Sequence, residues 1–210
     1  MTPEVFEAQL HFLKKQGYSV ISAADLAKRI PPHHLSPLPP DVVLTFDDGY
    51  DNFYTEAFPR LSRYGYTATV FVVTDWIGQK GYLNWAQLSE LHAAKITIGS
   101  HTCSHPHLPD LEPVQMKIEI ARSKEILEQK LGAPVVLFCY PFGGFSTQAV
   151  ELVHAAGYKI AFTTNRSLSR NYQDLLSLRR VRMSNTVNPI RLWVKCSGYY
   201  DLFRKPRSSH

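Results

Sequence analysis

Short apolar, β-branched runs alternate with amphipathic stretches about seven times along this 210-residue chain, a pattern that favours a parallel α/β sheet. Strands are expected at Tyr18–Ile21, through Val42-Val43-Leu44 into Thr45-Phe46, and at Thr67–Val73, Ile96–Gly99, Val135–Phe138, Ile160–Thr163 and Leu178–Met183. Helices are expected between them. The first, over residues 3–17, is started by Thr2-Pro3-Glu4 and stopped by Gly17. The others cover Ala23–Arg29 with Ser22 as cap, Asn52–Tyr64, Asn84–Ala94, Glu112–Leu131, Thr147–Ala156 and 188–202. Five prolines fall within residues 31–40, which excludes regular structure there and makes the segment an exposed connector.

The polar clusters follow strands. Asp47 and Asp48 end the first long apolar run, and Gly49 allows the chain to turn there. Adjacent strand residues point to opposite faces, so the two carboxylates can take different roles only where the strand breaks. Asp-Asp-Gly alone reads equally well as a turn with one Asp capping the next helix. His101 and His105 follow the Ile96–Gly99 strand, and their spacing would place both imidazoles on one face of a helical turn before Pro106. Two His and one Asp with an open position form a catalytic rather than a structural metal set. His107, beyond Pro106, reads as exposed or structural.

Thr-Phe-Asp-Asp-Gly-Tyr at 45–50, Gly-Ser-His-Thr-Cys-Ser-His-Pro-His-Leu at 99–108 and Phe-Cys-Tyr-Pro-Phe-Gly at 138–143 together resemble the polysaccharide deacetylases, carbohydrate esterase family four, with its nodulation-protein homology domain. The resemblance runs from about Pro3 to Met183. Its opening, Gln9-Leu10 and then Gly17-Tyr18-Ser19-Val20-Ile21, is similar to the branch acting on poly-N-acetylglucosamine. It implies a distorted (β/α)7 barrel with its site at the C-terminal rim of the strands, a divalent metal that is usually Zn2+, and an N-acetylated glycan substrate. Asp47 then becomes the general base, and Asp48, His101 and His105 the metal ligands. Zinc activates a water for attack on the acetamide carbonyl, and the Phe142 backbone N–H becomes the oxyanion donor. Tyr140, Pro141, Trp76 and Trp85 are candidates for contact with sugar, although helical spacing places Trp85 equally well at the edge of the core.

Three departures from the family pattern stand out. Cys139 occupies the position where many members carry Arg, and the Asp-x-x-Asp-Trp motif that orients that Arg is missing. No His lies between His154 and His210, so the late Leu-x-x-His motif that supplies the general acid is also missing. In the poly-N-acetylglucosamine branch this His comes from an N-terminal Tyr-His strand, which is expected to precede residue 1. The readings are therefore a metal-dependent glycan deacetylase, a sugar-binding relative lacking the acid, or an amidase acting on a non-sugar amide.

Length fits one domain, expected over 1–204 with a flexible tail at 205–210. The net charge of +5 is concentrated toward the C-terminus, without a basic helix interleaved with aromatics, so nucleic acid is not an expected partner. No apolar run is long enough to span a membrane, and the first residues do not read as a signal peptide. An extracytoplasmic location is implied by the resemblance alone. The three cysteines form no CxxC pair and read as buried free thiols.

Overall fold

The computed structural model describes residues 1–29, 41–164 and 175–196. Six parallel strands form one sheet in sequence order: β1 Thr45–Phe46, β2 Thr69–Val72, β3 Thr97–Ser100, β4 Leu137–Cys139, β5 Ile160–Thr163 and β6 Leu178–Arg179. The helices are α1 Pro3–Lys15, α2 Ala23–Arg29, α3 Phe58–Tyr64, α4 Trp85–Ala93, α5 Pro113–Leu131, α6 Thr147–Ala155 and α7 Pro189–Cys196. A π-helical turn, Phe53–Ala57, leads into α3, so the expected Asn52–Tyr64 helix is present in two parts.

The helix boundaries follow from local chemistry. In α1, the Thr2 hydroxyl accepts from Val5 N–H and Pro3 fills a first-turn position. In α4, Asn84 and Gln87 make a reciprocal capping box. The α5 helix ends at Gly132 in the left-handed conformation.

Alternation along the strands sorts the core into two layers. Val70, Val72, Ile98, Phe138 and Ala161 pack outward against helix residues such as Leu61, Leu88, Leu91, Ile120 and Val153. Phe71, Leu137, Cys139, Ile160, Phe162 and Leu178 pack inward. Burial on both faces is what a parallel sheet flanked by helices requires. Each fully buried Leu of the outer layer contributes about 1.5–3 kcal/mol. The inner layer depends on Gly99: a Cβ there would come within 2.5 Å of the Phe71 ring.

The sheet curls. β1 and β6 are its opposite edges, yet Arg180, one residue past β6, donates to Thr45 Oγ1 at 3.0 Å on β1. The sheet therefore forms a curled half-barrel flanked by helices, in keeping with the distorted barrel that the family resemblance implies.

Several expected strands are shorter than the sequence pattern suggests, β1 among them, which covers only Thr45–Phe46. Tyr18–Ile21 is reduced to one parallel bridge, Val20 to Val42, because Ser22 immediately caps α2 by accepting from Asp25 N–H at 3.1 Å. β6 covers only Leu178–Arg179. The proline-rich connector, the tail at 205–210 and the end of the expected 188–202 helix lie outside the described residues. Among the described residues, no helix is long and apolar enough to cross a membrane.

Candidate active site

The chain breaks out of β1 at Asp48, which has φ +72°, and Gly49 follows with φ +74°. Two consecutive left-handed residues turn the two carboxylates apart. Asp47 points into the curl and Asp48 toward the loop after β3. A left-handed non-glycine residue costs of order 1–3 kcal/mol and persists only where its surroundings hold it.

Asp48 Oδ1 lies 3.5 Å from His101 Nε2 and 3.5 Å from His105 Nε2, and the two Nε2 atoms are 3.2 Å apart. His101 is buried, and its Nδ1 lies 2.7 Å from Cys139 O, which fixes the tautomer and leaves Nε2 to face the group. Burial opposes a charge on His101, but Cys139, Asp48 and Asp47 together raise its pKa to about 10. Burial and the charge of His101 lower that of His105. Two imidazole nitrogens and a carboxylate oxygen thus converge where one positive charge is favoured and a second proton is not. That donor set fits a divalent cation with open coordination positions.

Asp47, His101 and Cys139 also lie within 4.8 Å of one another, but a cation already holds that corner. Arg180 Nη1 and Nη2 donate to Asp47 Oδ1 and Oδ2, both at 2.7 Å, and Nη2 lies 3.1 Å from Cys139 Sγ. The guanidinium also lies over the Phe71 and Phe162 rings at 5.8 and 5.9 Å. Burial alone would raise the Asp47 pKa. The bidentate Arg180 pair and the nearby His101 overcome this and hold it below the usual carboxylate range.

His101 and His105 do not meet on a helical turn as their spacing predicts. The loop between them is irregular, with Thr102 at φ +70° and His105 at φ +65°. The Thr102 hydroxyl accepts from His105 N–H at 3.0 Å and closes the turn. His107 lies outside the group, paired with Asp110 at 2.9 Å. Cys103 and Cys139 are buried free thiols, as expected, and Cys196 is half-buried.

The third loop, after β4, is bound from below. Phe142 has φ +57°, and its carbonyl accepts from Thr164 Oγ1 at 3.0 Å. Gly143, at φ +76°, lies so close to Thr164 that a Cβ would come within 2.0 Å of Thr164 Oγ1. The Phe142 ring is 66% exposed and packs edge-on against His105 at 4.7 Å.

Of the expected sugar contacts, only Trp76 lies beside the group, with its ring 5.2 Å from that of His105. Tyr140 is a correction. Its side chain is fully buried among core rings, and its hydroxyl donates to Leu176 O at 3.0 Å, so it presents nothing to a substrate. Pro141 is buried as well and shapes the loop. Trp85 packs at the core edge with Lys130 Nζ 5.9 Å from its ring, the alternative its helical spacing had offered. Tyr50, 45% exposed, is an aromatic that the sequence reading left out. It stacks on Tyr82 at 5.2 Å, which in turn contacts Trp76 at 5.0 Å. The charge of Asp48 raises the Tyr50 phenol pKa.

The curled parallel α/β sheet thus carries a candidate metal site, an Asp-His-His group, with a second, ion-paired carboxylate beside it at the C-terminal rim. The polysaccharide deacetylase family pattern matches residues 36–161, and the chain belongs to that family. It is 32% identical to YxkH of Bacillus subtilis (strain 168), named as a polysaccharide deacetylase, over 85% of this chain and 64% of that protein. It is 26% identical to the poly-β-1,6-N-acetyl-D-glucosamine N-deacetylase of Escherichia coli (strain K12), over 84% of this chain and 32% of that one. The chain thus spans less than two thirds of either relative. The solved structure of the Streptococcus pyogenes deacetylase PplD in complex with acetate superposes with a TM-score of 0.85 at 29% identity, covering 92% of this chain and 86% of that one.

Proposed function

We propose that the chain is a zinc-dependent deacetylase that removes acetyl groups from N-acetylglucosamine units of a polysaccharide, with Asp48, His101 and His105 as metal ligands and Asp47 as general base. The observation that carries this reading is the convergence of Asp48, His101 and His105 within 3.5 Å of one another, with the Asp47 carboxylate next to them. A divalent cation bound there supplies Lewis-acid polarisation of the amide carbonyl and acidifies water.

The chain's own groups do the rest. Asp47, kept ionised by Arg180, takes the proton of the attacking water and returns it to the amide nitrogen as the C–N bond breaks and the amine leaves. The Phe142 N–H meets the oxygen that becomes negative as the carbonyl carbon turns tetrahedral. Trp76 and the exposed rings of Tyr50 and Phe142 offer apolar faces to a pyranose beside the reacting acetamide. The name of the Escherichia coli relative supports N-acetylglucosamine as the sugar and a polymer of it as the target.

The test is acetate release from N-acetylglucosamine oligomers by zinc-loaded protein, beside a panel of small non-sugar amides. Release from the oligomers is expected. Turnover of the small amides alone would replace this reading by that of a general amidase.

Arg180 gives a further prediction. Methionine has similar bulk but cannot pair with Asp47. Arg180→Met should destabilise the fold by about 3–5 kcal/mol, because it leaves the Asp47 carboxylate without its cation. It should also raise the Asp47 pKa, so the acid limb of the kcat/KM profile moves to higher pH while zinc stays bound. An acid limb that does not move would show that Asp47 is not the group titrating there.

A further inference from the structure

One carboxylate grips the His101–His105 loop without touching the metal group. Glu119, half-buried on α5, accepts through Oε2 from Cys103 N–H and Ser104 N–H, both at 2.9 Å, and through Oε1 from Ser104 Oγ at 2.7 Å. On the other side, the Thr102 and Cys103 carbonyls accept from Thr74 N–H at 3.2 Å and Asp75 N–H at 3.0 Å. The loop is thus clamped between the segment after β2 and the first turns of α5. Successive backbone N–H groups next to a left-handed residue form a concavity that binds anions, and here the Glu119 carboxylate fills it. The two ligands at either end depend on this shape. His101 continues from β3, whereas His105 reaches Asp48 only because Thr102 and His105 are both left-handed.

We propose that Glu119 is the positioning residue for the metal group: its carboxylate, on Cys103 and Ser104, holds the loop in the shape that aims His105 Nε2 at Asp48 and His101, and so sets metal affinity. The inference rests on reading that group as a metal site. Ser104 is exposed, so water can replace Glu119 at its N–H and hydroxyl, and only the N–H of buried Cys103 loses its acceptor. What is lost is the constraint on His105. In Glu119→Gln the amide oxygen can still accept from both backbone N–H groups while the NH2 group donates to the Ser104 hydroxyl, so Gln can preserve the clamp and Ala cannot.

The experiment measures zinc affinity by chelator competition and the visible spectrum of the cobalt-substituted protein, for wild type, Glu119→Gln, Glu119→Ala and Glu119→Asp. Thermal midpoints are taken on chelator-treated samples. Groups that orient metal ligands typically change affinity by about 10–100-fold. Glu119→Ala should bind zinc about that much more weakly and show an altered cobalt spectrum, with a proportionally smaller fall in midpoint, while Glu119→Gln, which can keep the contacts, stays near wild type. Glu119→Asp, one methylene shorter, should fall between these two. Wild-type affinity and spectrum in Glu119→Ala would overturn the proposal. So would a loss of affinity matched by an equal fall in the midpoint of the chelator-treated protein. If the wild-type protein itself binds no zinc, the metal-site reading fails first and takes this one with it, an outcome distinct from normal binding by Glu119→Ala.

Discussion

The His101→Ala protein is expected to bind no measurable zinc and to release no acetate. His101 is the most constrained of the three proposed ligands. It is buried, its Nδ1 is fixed on Cys139 O, and its Nε2 faces both Asp48 and His105. Alanine removes one of three protein ligands and leaves an uncollapsed space behind the sheet. The remaining pair, Asp48 and His105, is too few for a site that must also keep an open position for chemistry. Metal content after dialysis, read beside acetate release, checks this. Zinc retained at the wild-type ratio would mean that the ion sits elsewhere.

Asp47→Asn is expected to behave in the opposite way: zinc stays and kcat falls by about 10²–10⁴-fold, the range for loss of a positioned acid–base group. Asparagine has the same shape, but its amide cannot take a proton, and its NH2 group meets one of the guanidinium nitrogens that the carboxylate accepted from. Because the interaction lost belongs to the transition state, KM should move little. The same substitution changes stability in acid. The folded-state pKa of Asp47 lies below the ordinary value, so its pairing stabilises the protein above the unfolded-state pKa. That stabilisation disappears as pH falls through the folded-state value. Asp47→Asn should lack this part of the acid-unfolding curve, measurable by denaturant melts at a series of low pH values. A variant with full kcat would remove Asp47 from the role of base.

The strand–helix alternation was legible because period-2 and period-3.6 patterns report directly which faces are buried. Short strands were not. A two-residue strand such as Thr45–Phe46 or Leu178–Arg179 is defined by its neighbours in space, and nothing local distinguishes it from a longer apolar run. The three candidate ligands could be named from motif chemistry, but not the way they meet. Spacing suggested a helical turn between His101 and His105, whereas the left-handed backbone at Thr102 and His105 is imposed by long-range hydrogen bonds from Glu119, Thr74 and Asp75.

Arg180 shows the same limit more sharply. The sequence shows that no arginine stands at position 139, and a buried carboxylate beside a metal group requires a cation from somewhere. The partner lies 133 residues from Asp47, among other basic residues, and only the curl of the sheet selects it. Tyr140 erred in the other direction: an aromatic inside a motif suggested substrate contact, but the strand places it in the core.

The closure of the curl has a mechanical corollary. On the proposed reading the ion would be held within residues 48–105, while proton abstraction would rely on a guanidinium arriving from the far margin of the sheet. Prying the two margins apart disarms the base before the ion is released. In mild denaturant, turnover should therefore vanish at a lower concentration than bound zinc, and simultaneous loss of both would show that the half-barrel opens as one unit.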